Sequence, residues 1–324
     1  MLILSAATFT LVKATPILTL SASSLSSSYD RYTIANITGG MDYYNYVYHI
    51  GPSDGLVGLQ IQDPNGNPTV IRTIRTGTAI PSNITAYIDA AYLCDISGNQ
   101  QTSVPMPTAD NGVVPYYYTH VINNAGTTVS MLLTLNIFDS AGMPIALTYQ
   151  TVNVAAYSSS FVQANFNIDP DAHYGVATAY VNVYSNWPSN DGIPYGLEQT
   201  FQFTITGGAA FTGTPSATQS GNGLYNFTYI IPKQAPVGTY TVDTSANYLG
   251  IPDQYSTTFQ VAQYGDLNGD GKVNFSDLTI FVADYIAYFN TGVFNPAIDL
   301  NGDGKINFAD LTAFVHDYIV YWST

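Results

Sequence analysis

The sequence predicts a mainly β chain ending in a small helical module, and three observations carry that prediction. Only 9% of the 324 residues are charged and Glu occurs once, at Glu198, whereas Tyr occurs 27 times. Helices favour Glu and Lys on their surfaces, while strands favour aromatic and β-branched residues. From Tyr29 to Ala262 short runs rich in those residues are each closed by Gly, Pro, Asn or Asp, as strands joined by turns are. Beyond Asp266 the pattern changes to two near-identical loops, each followed by an apolar run at helical spacing.

The elements follow in order. Residues 1–20, MLILSAATFTLVKATPILTL, are apolar, and their Thr, Val, Ile and Leu favour an extended strand. The segment lacks the basic start of a signal peptide, and Lys13 at its middle argues against a membrane span. Ser21 to Ser28, SASSLSSS, read as a flexible tether, so 1–28 is an N-terminal apolar strand with a Ser-rich linker. Residues 29–155 read as a first β-sandwich, with runs such as GLVGLQIQ and TVIRTIR joined by DPNGNP, and TTVSMLLTLNIF and IALTYQTVNV joined by DSAGMP. Residues 156–262 read as a second. Its closing stretch IPKQAPVGTYTVDTSANYLGIPDQYSTTFQVA resembles the last hairpin of immunoglobulin-like modules in prokaryotic surface proteins. The expectation is therefore two tandem immunoglobulin-like sandwiches after an extended strand, followed by a helical module over 263–324.

The charge balance excludes one class of partner. Seven basic against 22 acidic residues give a net charge of −15, so no basic stripe for nucleic acid can form. The single cysteine, Cys94, makes no internal disulfide and reads as a buried small residue. Asn36, Asn83 and Asn226 stand in glycosylation sequons, as does Asn274. The many Tyr, Thr, Ser and Asn with few charges resemble exported surface proteins of thermophilic archaea, which implies an extracellular, cell-surface location without membrane contact of the mature protein.

The strongest signal is the repeat DLNGDGKVNFSD and, 33 residues later, DLNGDGKINFAD. Ca²⁺ takes about six to eight oxygens, which a twelve-residue loop supplies from positions 1, 3, 5, 7, 9 and 12, with Gly at 6 for the turn. The first loop offers Asp266, Asn268, Asp270, the Lys272 carbonyl, Asn274 and Asp277, with Gly271 at the turn. The second offers Asp299, Asn301, Asp303, the Lys305 carbonyl, Asn307 and Asp310, with Gly304. Two structural Ca²⁺ ions are expected, and Asn274, as a ligand, is expected to stay unglycosylated. The residues before Asp266, YSTTFQVAQYG, read as a strand, so each unit is a loop and a helix without an entering helix. From Asp266 to about Trp322 the chain resembles the type I dockerin, the calcium-dependent docking module of cellulosomes. That resemblance implies a cohesin-like partner. Cohesin-binding dockerins commonly carry small hydroxyl residues at loop positions 10 and 11, where this chain has Phe275 and Ser276, then Phe308 and Ala309.

At helical spacing Leu278, Phe281, Val282, Tyr285, Ile286 and Phe289 form one apolar face, repeated by Leu311, Phe314, Val315, Tyr318, Ile319 and Trp322. These faces are expected to pack on each other as the module's core. Ile280, Ala283, Ala287, Tyr288, Ala313, Val320 and Tyr321 leave the opposite faces apolar too, which implies cover from the sandwiches or a neighbouring chain. No catalytic motif is present: the four His are scattered, with no H-E-x-x-H and no G-x-S-x-G, so no enzyme is expected. Tyr44, Tyr46 and Tyr48, and Tyr116 to Tyr118, are candidate platforms for carbohydrate, or simply core. A free apolar strand on a tether is what strand exchange requires. The chain thus resembles subunits of archaeal surface filaments, a homopolymer in which 1–20 completes a neighbour's sheet, the other readings of that strand being pairing within its own domain or an uncleaved leader or anchor; the alternative function is a secreted dockerin-bearing binding or adhesion protein that docks to a cohesin-like partner or a surface layer.

Overall fold

The computed structural model describes residues 16–45, 49–81, 84–106, 113–211, 217–232, 234–262, 265–268, 272–300 and 305–322. The chain opens with β1 (Ile17–Ser24), β2 (Ser28–Asp30), β3 (Ile34–Tyr44), β4 (His49–Ile50), β5 (Leu56–Gln62) and β6 (Pro68–Arg75). Then come β7 (Ala86–Cys94), β8 (Ser103–Pro105), β9 (Tyr116–Asn123), β10 (Val129–Phe138), β11 (Pro144–Val154), β12 (Ser159–Asn165), β13 (Gly175–Tyr184) and β14 (Gln199–Thr206). The last strands are β15 (Ala217–Gly221), β16 (Leu224–Ile230), β17 (Gly238–Tyr248) and β18 (Ile251–Ala262). Two helices follow, α1 (Phe275–Thr291) and α2 (Phe308–Trp322). Mainly β with C-terminal helices is thus the architecture observed.

The strands do not divide at residue 155. One sandwich is built from both ends of the strand region: sheet β1-β3-β16-β15 faces sheet β2-β18-β17-β5-β6 across a shared core. The other lies wholly between β6 and β15, with β7-β9-β12 facing β8-β14-β13-β10-β11. The expected tandem of 29–155 and 156–262 is therefore corrected to one sandwich inserted into another. The period-2 pattern reports that a strand has an inner face but not which strand lies beside it. The sheets β2-β18-β17-β5-β6 and β8-β14-β13-β10-β11 carry the same strand order, while the facing sheets differ in strand number. In each, a short strand pairs parallel to the last one, β2 with β18 and β8 with β14.

The hairpins β5–β6 and β10–β11 occupy equivalent places and close on the same turn. Asp63 Oδ1 accepts the amides of Asn65 and Asn67, both at 2.8 Å. Asp139 Oδ1 accepts those of Ala141 and Met143, both at 2.9 Å. The fourth turn residue is Gly66 or Gly142, at φ 80° and 91°, a conformation that a side chain would strain. Burial pushes the Asp63 carboxyl up, but hydrogen bonds from Asn67 and Asn65 outweigh it and hold the pKa below the ordinary value.

The N-terminal expectation also changes. β1 pairs antiparallel with β3 of its own molecule along its whole length, from Ile17 opposite Tyr44 to Ser24 opposite Ile37. Leu18, Leu20 and Ala22 are buried, and the Leu20 amide donates to Asp253 Oδ2 at 2.6 Å on β18. Ser21 to Ser24 are strand rather than tether. The described part of the supposed donor strand thus fills an edge of its own sandwich, because alternate side chains of β1 complete that core; residues 1–15 lie outside the described residues.

A polar seam joins the sandwiches. Side chains of the inserted sandwich satisfy edge amides of β6: Ile71 N–H donates to Asn136 Oδ1 at 3.0 Å and Thr73 N–H to Asn182 Oδ1 at 2.9 Å. Arg72, 3% exposed, makes two 2.8 Å hydrogen bonds to Glu198, and its guanidinium carbon lies 3.4 Å from the Tyr180 ring centroid. Burial disfavours the Arg72 charge, but the Glu198 carboxylate outweighs that and raises the pKa. A second tie runs from Tyr32 through His173 to Asp139, each link 2.7 Å.

Candidate calcium loops and the helix faces beside them

Both loops run into helices through the same cap. Asn274 Oδ1 accepts the Ser276 amide at 2.8 Å while Asp277 Oδ2 accepts the Asn274 amide at 2.8 Å, a reciprocal capping box. The second loop repeats it: Asn307 Oδ1 accepts from Ala309 at 2.8 Å and Asp310 Oδ2 from Asn307 at 2.7 Å. Loop positions 9 and 12 therefore serve as helix caps. Asp277 also accepts the Leu267 and Asn268 amides at 3.0 and 3.1 Å, drawing the start of the loop onto its end. Asp277 and Asp310 are both fully buried.

Asp266, Asn268, Lys272, Asn274 and Asp277 of the first loop, and Asp299, Lys305, Asn307 and Asp310 of the second, are within the described residues. Asp270, Gly271, Asn301, Asp303 and Gly304 lie outside them. The donors are carboxylate, carboxamide and backbone oxygens with no imidazole or thiolate, a set that suits a hard cation such as Ca²⁺. Among the described residues no group of three His, Cys, Asp or Glu side chains gathers as a metal cluster.

Position 8 of each loop, Val273 and Ile306, is buried in the module's core with Ile298, Leu300, Phe281 and Phe314. The Phe281 and Phe314 rings, one per helix, lie 5.7 Å apart. Trp322 Nε1 donates to the Val273 carbonyl at 3.0 Å, and Asp317 accepts the Gly265 amide at 2.5 Å, so the end of α2 returns to the first loop.

The helix faces differ from expectation. Phe281 and Phe314 point inward with Leu278, Tyr285 and Leu311 half-buried, but Val282, Ile286, Phe289, Val315, Tyr318, Ile319 and Trp322 are exposed. Two short helices around so small a core can bury only a narrow stripe, and the rest of each six-residue face turns outward. On the side expected to need cover, Ile280, Tyr288 and Ala313 are half-buried while Ala283 and Ala287 are small and exposed; the side chains of Val320 and Tyr321 lie outside the described residues. Phe275 and Phe308, each 73% exposed, begin the outward stripe of the two helices.

The other candidates disperse. Tyr117 is core, and Tyr118 is stacked between Tyr92 at 4.8 Å and Phe161 at 6.0 Å, so its ring faces are covered. Tyr44 is exposed, whereas Tyr46 and Tyr48 lie outside the described residues. Burial pushes the Cys94 thiol up to about 11, away from a nucleophile's range. Asn36 and Asn226 stand half-buried on the neighbouring strands β3 and β16, and Asn83 lies outside the described residues. Sequence reasoning missed that every His stands beside an Asp, His49 with Asp42, His120 with Asp89, His173 with Asp139 and His316 with Asp317. Only the last pair adjoins in sequence; folding brings the rest together.

Loop, buried position 8, helix, twice over, defines a calcium-binding pair of loop–helix repeats. Residues 264–319 match the family of the dockerin type I domain, and the C-terminal module is such a domain, which binds calcium structurally. No curated protein matches the chain. Among solved structures, the alkylpurine DNA glycosylase AlkC of Pseudomonas fluorescens, bound to DNA with an abasic-site analogue, is similar at 10% identity and a TM-score of 0.28, over 38% of this chain and 31% of that one. A β-glucosidase from Listeria innocua is similar at 10% identity and 0.26, over 43% and 19%. A tetra-tandem repeat from the extending region of a large adhesion protein aligns at 13% identity and 0.18, over 75% and 74%. The chain thus spans less than a third of the glycosylase and a fifth of the glucosidase. Among the described residues no helix is long and apolar enough to cross a membrane.

Proposed function

We propose that the chain is a secreted binding protein that docks to a cohesin-like partner through the outward faces of its dockerin, with two immunoglobulin-like sandwiches as the part so displayed. The observation that carries this reading is the duplicated apolar stripe: Ile286 and Ile319, 53% and 58% exposed, stand 33 residues apart on the two helices, as do Val282 and Val315. An exposed apolar patch of this kind on a small module marks an interaction surface. Phe275 and Phe308 at loop position 10 call for apolar pockets on the partner rather than hydrogen-bonding groups. Two Ca²⁺ ions held by Asp266, Asn268, Asp270, the Lys272 carbonyl, Asn274 and Asp277, and by Asp299, Asn301, Asp303, the Lys305 carbonyl, Asn307 and Asp310, would fix the faces in place. The shared strand order, with a first-strand segment running parallel to the last strand, supports the immunoglobulin-like reading.

The chain is read as a binder rather than an enzyme. The filament reading is not favoured, since residues 17–20 of its proposed donor pair within their own molecule. Titration of the calcium-loaded chain against cohesin domains tests the proposal: binding is expected, and Ile286→Asp with Ile319→Asp should abolish it without changing the sandwich melting transition. A double variant that binds as well as the parent would remove the helix faces from the interface.

A further inference from the structure

Strand β12 is an edge whose equivalent in the outer sandwich is covered. There β16 is flanked by β15, antiparallel from Ala217 opposite Thr228 to Gly221 opposite Leu224. In the inserted sandwich β12 takes the place of β16, at the end of β7-β9-β12, and among the described residues it pairs with β9 alone. β11 turns directly into β12 through residues 155–158, so no counterpart of β15 comes between them. The direction of the free groups follows from the bonds at the two ends of β12. The Ser158 carbonyl accepts the Asn123 amide at 2.8 Å and the Phe166 amide donates to the Pro115 carbonyl at 3.1 Å, so even-numbered residues face β9. The peptide groups of Ser159, Phe161, Gln163 and Asn165 therefore face outward. Other edges of the molecule are capped by side chains: the Leu20 amide of β1 donates to Asp253, and the Ile71 and Thr73 amides of β6 donate to Asn136 and Asn182. Proteins also blunt open edges with Lys, Pro or a bulge, and β12, SSFVQAN in unbroken register, carries none of these.

A stack of rings leads to the same edge. Tyr92, Tyr118 and Phe161 stand side by side on β7, β9 and β12, with centroids 4.8 and 6.0 Å apart and an angle of 17° between ring planes at each step. Phe161 ends the stack, 69% exposed. Tyr92 lies directly opposite Tyr118, and the two belong to a hydrogen-bonded pair, because the Asn124 amide reaches the Thr85 carbonyl at 2.9 Å and even-numbered residues of β9 thus face β7.

We propose that β12 pairs antiparallel with β12 of a second copy of this chain about a two-fold axis at Phe161, so that two three-stranded sheets become one of six strands. No strand is exchanged. Phe161 then lies opposite its copy and Ser159 opposite Gln163, a register that brings outward peptide groups together and repeats the Tyr92–Tyr118 relation across the axis. A strand added here must carry a flat apolar side chain opposite Phe161 and no charge, and β12 itself meets both conditions. Although the chain carries −15, no like charges meet at this edge, and Asp89 on the same sheet is held by His120 at 2.7 Å.

Sedimentation equilibrium of the full calcium-loaded chain tests this. A monomer–dimer equilibrium is expected, tightening as salt screens the repulsion between two acidic chains. Phe161→Lys and Phe161→Glu each set like charges opposite one another across the axis and should each weaken the dimer at least about tenfold, while mixing the two variants should restore association. If either variant melts early, Ser159→Pro is read instead, since it removes an outward amide and no bond to β9, and it too should weaken the dimer. A chain that stays monomeric, a dimer indifferent to Phe161→Lys or to Ser159→Pro, or a mixture of Phe161→Lys and Phe161→Glu that stays monomeric overturns the proposal. A monomer that instead takes up a synthetic peptide of residues 1–15 gives the edge to that segment and overturns it equally. Cohesin binding is measured on the helical module, so the two readings fail separately.

Discussion

The sandwiches and the dockerin solve the same problem with unequal means. Among the described residues the core cluster of each sandwich holds twenty-three buried apolar side chains, the outer one including Phe138 of the inserted sandwich, and that of the helical module holds six. The sandwiches are sealed to each other by hydrogen-bonded polar groups, whereas the module leaves Val282, Ile286, Val315 and Ile319 in solvent. A core of six cannot offset the entropy of ordering two helices and two loops without further help, and bound calcium supplies it. The difference separates a part with a large core of its own from a part whose small core is completed by calcium.

The largest break in that contrast should come from the seam. Glu198→Ala leaves Arg72 buried without its carboxylate and should cost about 3–5 kcal/mol. Calorimetry should show the sandwich transition falling while the module's is unmoved. Chelation with EGTA should do the reverse, since each ion at about 100 times its dissociation constant contributes about 2.7 kcal/mol. The helical far-ultraviolet signal should fall at temperatures where the sandwiches stay folded; a module that melts unchanged would remove calcium from its stability.

A matched pair of substitutions sharpens the comparison. Gly66 in a sandwich turn and Gly292 at the end of α1 have φ of 80° and 71°, and an added Cβ would meet nothing at either. Alanine should therefore cost about the same backbone strain at both, about 1–2 kcal/mol. The melting temperature of the module should shift by about 4–8 °C and that of the larger sandwich unit by about half as much. The smallest effect is acid sensitivity. Because the folded pKa of Asp63 is lowered, its contribution is complete above the unfolded value of about 3.9 and is lost as pH falls through the folded value. Asp63→Asn should flatten the acid limb of the sandwich transition, read by tyrosine absorbance, and leave the module's limb alone.

Legibility followed the range of the interactions. The loops were readable because every proposed ligand and the Asn274 and Asp277 caps fall within twelve consecutive residues. The turns at Asp63 and Asp139 were readable for the same reason, each closing within four residues. The inner stripe of α1 and α2 was only half readable. Periodicity named six apolar positions per helix, but the size of the neighbouring core decided that Phe281 and Phe314 go in while Ile286 and Ile319 stay out.

By itself the sequence determined strands, turns, two metal-binding loops and two helices, since each of these is fixed by neighbours along the chain. Only the tertiary structure decided that β16 lies beside β3 and β17 beside β5, that a whole sandwich is inserted between β6 and β15, and that β1 returns to its own sheet. The physical reason is that alternating side chains make any two strands compatible in pattern. Which pair forms depends on how alternate faces fill a shared core, a property of residues far apart in the chain.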